Sequence, residues 1–283
     1  MLVRFVQFIA YFIVLFCLFF ANASKVFAGT PSVLVVDLDT KKILYENNST
    51  AERFPASLTK LMTLYITFDK IQKGEINLDD IVVASKHAES QPSSQIYLRQ
   101  GDEISVYNLI VSLIVHSAND SAVALAEYIG SNEQNFVEIM NQTALKLKMY
   151  STFFVNSNGL HHENQISTAK DIARLSSAVY SDFKDFYPLF SIKEFSYKGR
   201  NFLTHNKIVA NYSGATGLKT GYVAASGYNI ASTARRNGEN ILTVVMGGHT
   251  PEERDIYATE LLNYGFDFLA GKIENESTIY AAN

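Results

Sequence analysis

Three short strings, in this order, carry the groups that acyl transfer needs: Ser57-Leu58-Thr59-Lys60, Ser117-Ala118-Asn119 and Lys219-Thr220-Gly221. Together they supply a nucleophilic hydroxyl, two amines, an amide and a second hydroxyl, a serine site that works without histidine. A helix beginning near Ser57 puts Lys60 one turn on and on the same face, within reach of the Ser57 hydroxyl. That amine is a base only when neutral. Burial at a helix N-terminus and a second nearby cation, for which Lys219 is the candidate, both favour the neutral form. Ser117 would relay a proton to the leaving amine, and Asn119 would hold the substrate backbone. Lys219 and Thr220 would face a carboxylate, and Gly221, lacking a side chain, would let a substrate strand lie against a sheet edge.

Each string alone has a plainer reading. Ser57 could cap a helix and Lys60 could be a solvated charge; a second serine-x-x-lysine match, Ser181 to Lys184, shows how cheaply that pattern arises. Ser117 to Asn119 could be a helix–helix turn capped by Asn119 or Asp120. Lys219 to Gly221 could be a turn before a strand. The coincidence of all three in one chain outweighs these readings. His116, beside Ser117, is a core or surface residue on this view, because Lys60 already fills the base role. His161-His162-Glu163 lacks the His-Glu-x-x-His spacing, so no metal and no cofactor is assigned.

The elements that must position these groups follow from the apolar pattern. Val33 to Asp37 reads as a buried strand, Leu38-Asp39-Thr40 as a turn, and Ile43 to Tyr45 as a second strand. Pro55 fixes the backbone before Ser57. A helix follows from Leu58, with Leu61, Leu64, Tyr65, Phe68 and Ile71 on one face and Gly74 as its stop. Ser105 caps an apolar helix carrying Val106, Leu109, Ile110, Leu113 and Ile114. A second helix runs from Asp120 to Ile129, and a third carries Phe136, Ile139, Met140, Ala144 and Leu147. Ser167 is the expected cap of a helix bearing Ile172 and Leu175. Near the end, Tyr228–Ala231 and Ile241–Val245 read as strands joined at Asn237-Gly238, a strong hairpin signal. Pro251 then opens a helix with Tyr257, Leu261, Tyr264 and Phe268 on one face. The expectation is one α+β domain over residues 29–271, with strands from both chain ends and a mainly helical insertion over about 58–200.

The 283 residues are 47% hydrophobic and 18% charged, enough for a large core and not a disordered composition. Met1 to Arg4 and an apolar run from Phe5 to Ala21 read as a secretory signal peptide cleaved after Ala28; the rival reading is an uncleaved membrane anchor. The one cysteine, Cys17, falls in this segment, so the mature chain would have no thiol and no disulfide. Residues 1–28 contain Arg4 and Lys25 and no acid, so cleavage would take the formal charge from −4 to −6. That balance argues against nucleic acid as partner.

The chain resembles the low-molecular-weight penicillin-binding proteins, and within them the serine D-alanyl-D-alanine carboxypeptidases of the peptidase S11 family. The likeness runs from about Thr30 to Gly271. It rests on the block from Pro55 to Thr63, on Asn119-Asp120-Ser121-Ala122, Asn158-Gly159-Leu160, Lys219-Thr220-Gly221-Tyr222 and Val245-Met246-Gly247-Gly248. The resemblance implies a β-lactamase/transpeptidase-like fold and two-step removal of the terminal D-alanine from peptidoglycan stem peptides. It makes Ser57 the acylated nucleophile, Lys60 its base, Ser117 a catalytic partner, and Asn119, Lys219 and Thr220 substrate-holding groups. The backbone N–H groups of Ser57 and Tyr222 would form the oxyanion hole, and Arg254 would bind the terminal carboxylate. β-Lactams would acylate Ser57 as substrate mimics. The implied location is the periplasm or another extracytoplasmic space, with membrane contact only if the signal segment stays. Two departures stand out, Asn158 and Tyr222, where many or some relatives carry histidine. Residues 272–283 are also too short for the β-rich second domain and amphipathic anchor of larger relatives. A β-lactamase or D-alanyl endopeptidase on the same fold, and a non-catalytic peptidoglycan-binding protein, are the rival readings.

Overall fold

The computed structural model describes residues 29–273, so the expected signal segment over 1–28 and most of the tail from 272 lie outside the described residues. In chain order the elements are β1 (Ser32–Asp37), β2 (Ile43–Asn47), α1 (Lys60–Gln72), β3 (Ile81–Val83), α2 (Lys86–Glu89), β4 (Glu103–Ser105), α3 (Val106–His116), α4 (Asn119–Gly130), α5 (Glu133–Lys146), α6 (Ala169–Asp182), β5 (Glu194–Tyr197), β6 (Arg200–Leu203), α7 (Lys207–Asn211), β7 (Ala215–Val223), β8 (Gly227–Arg236), β9 (Glu239–Gly248) and α8 (Pro251–Leu269).

One five-stranded antiparallel sheet, ordered β2-β1-β9-β8-β7, joins the two ends of the chain through the β1–β9 pair. Both of its faces are covered, which is why β1 reads as an unbroken apolar run. Leu34 and Val36 turn toward the helical mass, and Val33 and Val35 turn toward α8, where Leu261 and Leu262 meet them. Strand periodicity thus sorts successive residues of one strand into two cores. At the β8–β9 turn Asn237 and Gly238 have φ of +52° and +93°, the left-handed pair that a two-residue hairpin demands. Among the described residues no helix is long and apolar enough to cross a membrane.

The expected elements are present with four adjustments. The helix after Pro55 starts as a single 3-10 turn, Ala56–Thr59, and becomes α-helical only at Lys60. The cap of α6 is Thr168, not Ser167: its Oγ1 accepts the Asp171 N–H at 3.1 Å, while the Ser167 hydroxyl pairs with Thr152 at 2.9 Å. The insertion also contains two small hairpins, β3–β4 and β5–β6, too short for strand periodicity to declare. Lys219-Thr220-Gly221 lies inside the nine-residue edge strand β7, rather than in a turn before the hairpin.

Candidate active site

Ser57 sits in the 3-10 turn Ala56–Thr59. Ala56 before it holds φ of +50°, a left-handed conformation that costs a non-glycine residue about 1–2 kcal/mol. The surroundings hold that turn in place. Asn229, fully buried in β8, donates through Nδ2 to the carbonyls of Phe54 and Pro55 at 3.0 and 3.3 Å, and its Oδ1 accepts from Gly247 N at 2.9 Å. Gly221 of β7 packs so closely that an added Cβ would stand 3.0 Å from Ser57 N. Gly159 is tighter still: at φ of +87°, a Cβ there would lie 2.0 Å from the Ala56 carbonyl oxygen. Gly159→Ala must therefore displace the nucleophile turn. The expected outcome, read as the rate of acylation by benzylpenicillin, is a loss of at least about 100-fold.

Lys60 is fully buried at the first turn of α1. Its Nζ lies 3.1 Å from Ser57 Oγ and 2.7 Å from Asn119 Oδ1, and it also meets the carbonyl oxygen of Asn158. The Asn119 amide is oriented by a bond from its Nδ2 to the Pro92 carbonyl at 2.9 Å, so the atom facing Lys60 is an acceptor. Two partners of Nζ are thus pure acceptors and the third is a hydroxyl. A neutral amine fits this arrangement: two N–H groups donate to Asn119 and Asn158, and the lone pair faces Ser57. Burial lowers the Lys60 pKa well below the ordinary lysine value, and the Lys219 cation lowers it further, while Asp120 acts weakly the other way.

Ser117 caps α3 in a left-handed conformation, φ +60°, and Ala118 leads directly into α4. This backbone reversal delivers Ser117 and Asn119 to the same side. The turn is fastened from below by Asp120, whose carboxylate accepts backbone N–H groups of Ile96, Leu98 and Ser121. Ser117 Oγ is buried and has no hydrogen-bond partner among the described residues. Lys219 is 2% exposed and donates to the Thr220 carbonyl at 3.0 Å. Burial pushes its pKa down to about 7, with Arg254 adding to the fall.

A cleft of about 330 Å³ gathers seven of the nine expected residues on its wall: Ser57, Ser117, Asn119, Thr220, Gly221, Tyr222 and Arg254. Lys60 and Lys219 are buried and are not among the residues that line it; Lys219 adjoins Thr220, which does. Arg254 lines the cleft while paired with Asp255, Nη2 to Oδ1 at 2.7 Å. Tyr222 is 54% exposed and packs on Tyr228 with ring centres 4.4 Å apart.

At Asn158 the group that meets Lys60 is the main-chain carbonyl, while the side chain binds Gln91 Oε1 at 2.9 Å and the Leu160 N–H. A histidine at this position would replace the side-chain bond to Gln91, while the contact to Lys60 is made by the main chain. Ser181 and Lys184, the duplicate pattern, lie at the far end of α6 and outside the cleft.

Sequence reasoning missed Ser93, Ser94, Leu160, His205 and Tyr228, which also line the cleft, and Asn229 beneath it. Only Asn229 left a signal, a lone amide inside an apolar strand run. The His205 ring meets His116 at a tilt, with ring centres 4.7 Å apart; His205 lines the cleft and His116 does not.

Comparison with known proteins identifies the family. The family model for D-alanyl-D-alanine carboxypeptidase, peptidase S11, matches residues 21–250. The chain is 34% identical over 239 residues to D-alanyl-D-alanine carboxypeptidase DacF of Bacillus subtilis, covering 83% of this chain and 61% of that one. The chain thus spans less than two thirds of that curated relative's length. Penicillin-binding protein 5 from Haemophilus influenzae superposes with a TM-score of 0.81 at 32% identity, over 83% of this chain and 70% of that one. Penicillin-binding protein D2 from Listeria monocytogenes, in its cefotaxime-bound form, gives 0.76 at 28% identity, over 83% and 96%. The α+β transpeptidase-like fold is thereby shared with proteins of known structure, and the chain belongs to the peptidase S11 family of D-alanyl-D-alanine carboxypeptidases.

Proposed function

We propose that this chain is a serine D-Ala-D-Ala carboxypeptidase of the extracytoplasmic space, acting on peptidoglycan stem peptides and acylated by β-lactams. The observation that carries the reading is the environment of Lys60 Nζ, which has two acceptor-only partners and one hydroxyl, the surroundings of a neutral amine poised to take the Ser57 proton. The curated relatives named for this activity, and the cefotaxime-bound Listeria relative, support the substrate class and the inhibitor class.

In the first step Lys60 accepts the Ser57 proton as Oγ attacks the carbonyl carbon between two D-alanines. The backbone N–H groups of Ser57 and Tyr222 stabilise the oxyanion, each such donor contributing about 2.7–4 kcal/mol. Ser117 Oγ, free of other partners, passes the proton to the departing amine, and D-alanine leaves. In the second step water attacks the acyl carbonyl carbon as Lys60 takes its proton, the bond from that carbon to Ser57 Oγ breaks, and Lys60 returns the proton to Oγ as the shortened peptide leaves. The substrate backbone lies along the edge of β7 and is held by the Asn119 amide. Its terminal carboxylate meets Thr220 and Arg254, and Lys219, buried next to Thr220, adds to the hold on it when protonated. Every group this scheme uses is a side chain or backbone amide of the chain itself.

The test is D-alanine release from a soluble peptide ending in D-Ala-D-Ala, compared with the same peptide amidated at its C-terminus. Release is expected from the first. With the amide, kcat/KM should fall about 10- to 100-fold, because a charge-assisted contact contributes about 1.5–3 kcal/mol. Equal turnover of both peptides would contradict the role given to Thr220 and Arg254. Rapid hydrolysis of penicillin without D-alanine release would replace the reading with that of a β-lactamase.

A further inference from the structure

A second concavity, larger than the cleft, lies elsewhere on the molecule. A groove of about 560 Å³ opens between the β1–β2 turn, the end of α5 and the outer side of α6. Its floor is apolar, built from Leu34, Val36, Ile43 and Leu147. Its rim carries five cations, Lys41, Lys146, Lys148, Lys170 and Arg174. The protein as a whole is acidic, with a formal charge of −4, so this concentration of positive charge runs against the average of the chain.

Two of the five cations are locally neutralised. Arg174 is paired with Asp171, and Lys170 lies 3.7 Å from Glu46. Lys41, Lys146 and Lys148 are exposed and have no carboxylate within ion-pair distance among the described residues. The one acid on the groove wall, Asp182, is engaged by the hydroxyls of Tyr65 and Ser181. Lys41 and Lys148 also hold φ of +62° and +60°. Glycine or asparagine would occupy such positions at less cost, so the lysine side chains are kept against the preference of the backbone.

We propose that this groove is a second, non-catalytic binding site that takes the carboxylate-rich peptide strands of peptidoglycan. The proposal rests on the functional reading above. Volume, apolar floor and cationic rim match an extended oligopeptide with small apolar side chains and several carboxylates. The free cations are ammonium groups, point charges without a fixed fork, which suits carboxylates spread along a chain. The apolar surface is recessed, whereas docking on a lipid surface needs an apolar face that protrudes. A hold on the polymer at this groove raises the effective concentration of chain ends at the cleft, with no change in the chemistry there.

The test compares the full chain with a Lys41→Asn/Lys146→Ala/Lys148→Asn variant. Asparagine relieves the left-handed backbone at two of these sites, so the variant should fold as well as the original protein. Pelleting with purified peptidoglycan sacculi, stripped of protein and of phosphate polymers, reads binding. Three rim charges lost should weaken it at least about tenfold, and added salt should weaken binding of the unaltered protein. D-Alanine release from the soluble peptide should be equal in the two proteins, while release from sacculi should fall with binding. Equal pelleting and equal turnover of sacculi would overturn the proposal. So would binding by the unaltered protein that is insensitive to salt, or a loss confined to anionic phospholipid vesicles or polyphosphate. Absence of D-alanine release by the unaltered protein would instead count against the functional reading, and pelleting would still report on the groove.

Discussion

Ser57→Ala is expected to bring D-alanine release down by at least about 10⁴-fold and to remove β-lactam acylation altogether. The fold should survive. Among the described residues the Ser57 hydroxyl contributes one hydrogen-bond contact, to Lys60 Nζ, and that amine keeps its bonds to Asn119 and Asn158 without it. Asn229 holds the turn through the carbonyls of Phe54 and Pro55, neither of which the substitution touches. Loss of activity with an unchanged melting temperature is therefore the expected pair of results. A substitution acting through the fold would lower both, and a variant that still released D-alanine would place the nucleophile elsewhere.

The second large effect belongs to Lys60. Lys60→Arg puts an always-charged guanidinium where the mechanism needs a neutral amine. Acylation should slow by about 10²–10⁴-fold, the usual contribution of general base catalysis. In the unaltered protein kcat/KM should rise with pH along a limb that lies below the ordinary lysine range, because burial and Lys219 lower the Lys60 pKa. The arginine variant should lose that limb. A stability effect follows from the same shifts. Lys219 is pushed down to about 7 in the folded protein, while an unfolded lysine titrates near 10.4. Between those values the unfolded chain holds a proton that the folded protein does not, so stability rises with pH across that window. Lys219→Met should flatten the rise, as measured by melting temperature against pH.

The sequence made the chemistry more legible than the scaffold that aims it. Ser57, Ser117, Asn119 and Thr220 announce themselves because hydroxyl and amide groups in fixed short strings have a chemical reading. The sheet ends were equally plain, since Val33 to Val36 and the Asn237-Gly238 turn obey strand and hairpin rules that need no tertiary context. The small hairpins β3–β4 and β5–β6 were not, because strands of three or four residues carry no usable periodicity. β7 was hidden for another reason. Its residues around Lys219 are small or polar and close on the nucleophile turn, where Gly221 approaches Ser57, so apolar alternation is absent. The burial of Lys219 also required the fold, since a lysine in a sequence reads first as a solvated charge. Gly159 is the clearest instance: its string reads as a loop, and only the 2.0 Å approach to Ala56 shows that a side chain cannot stand there.

The central claim is that Ser57, activated by Lys60, is the group that β-lactams and stem peptides acylate. Intact mass of the purified protein after incubation with benzylpenicillin, followed over time beside a Ser57→Ala control and mapped by peptide digestion, tests it most directly. The account predicts one lasting adduct per chain, located on Ser57 and absent from the control. No adduct and no penicillin turnover in a folded sample, or an adduct that persists in the control, would contradict it.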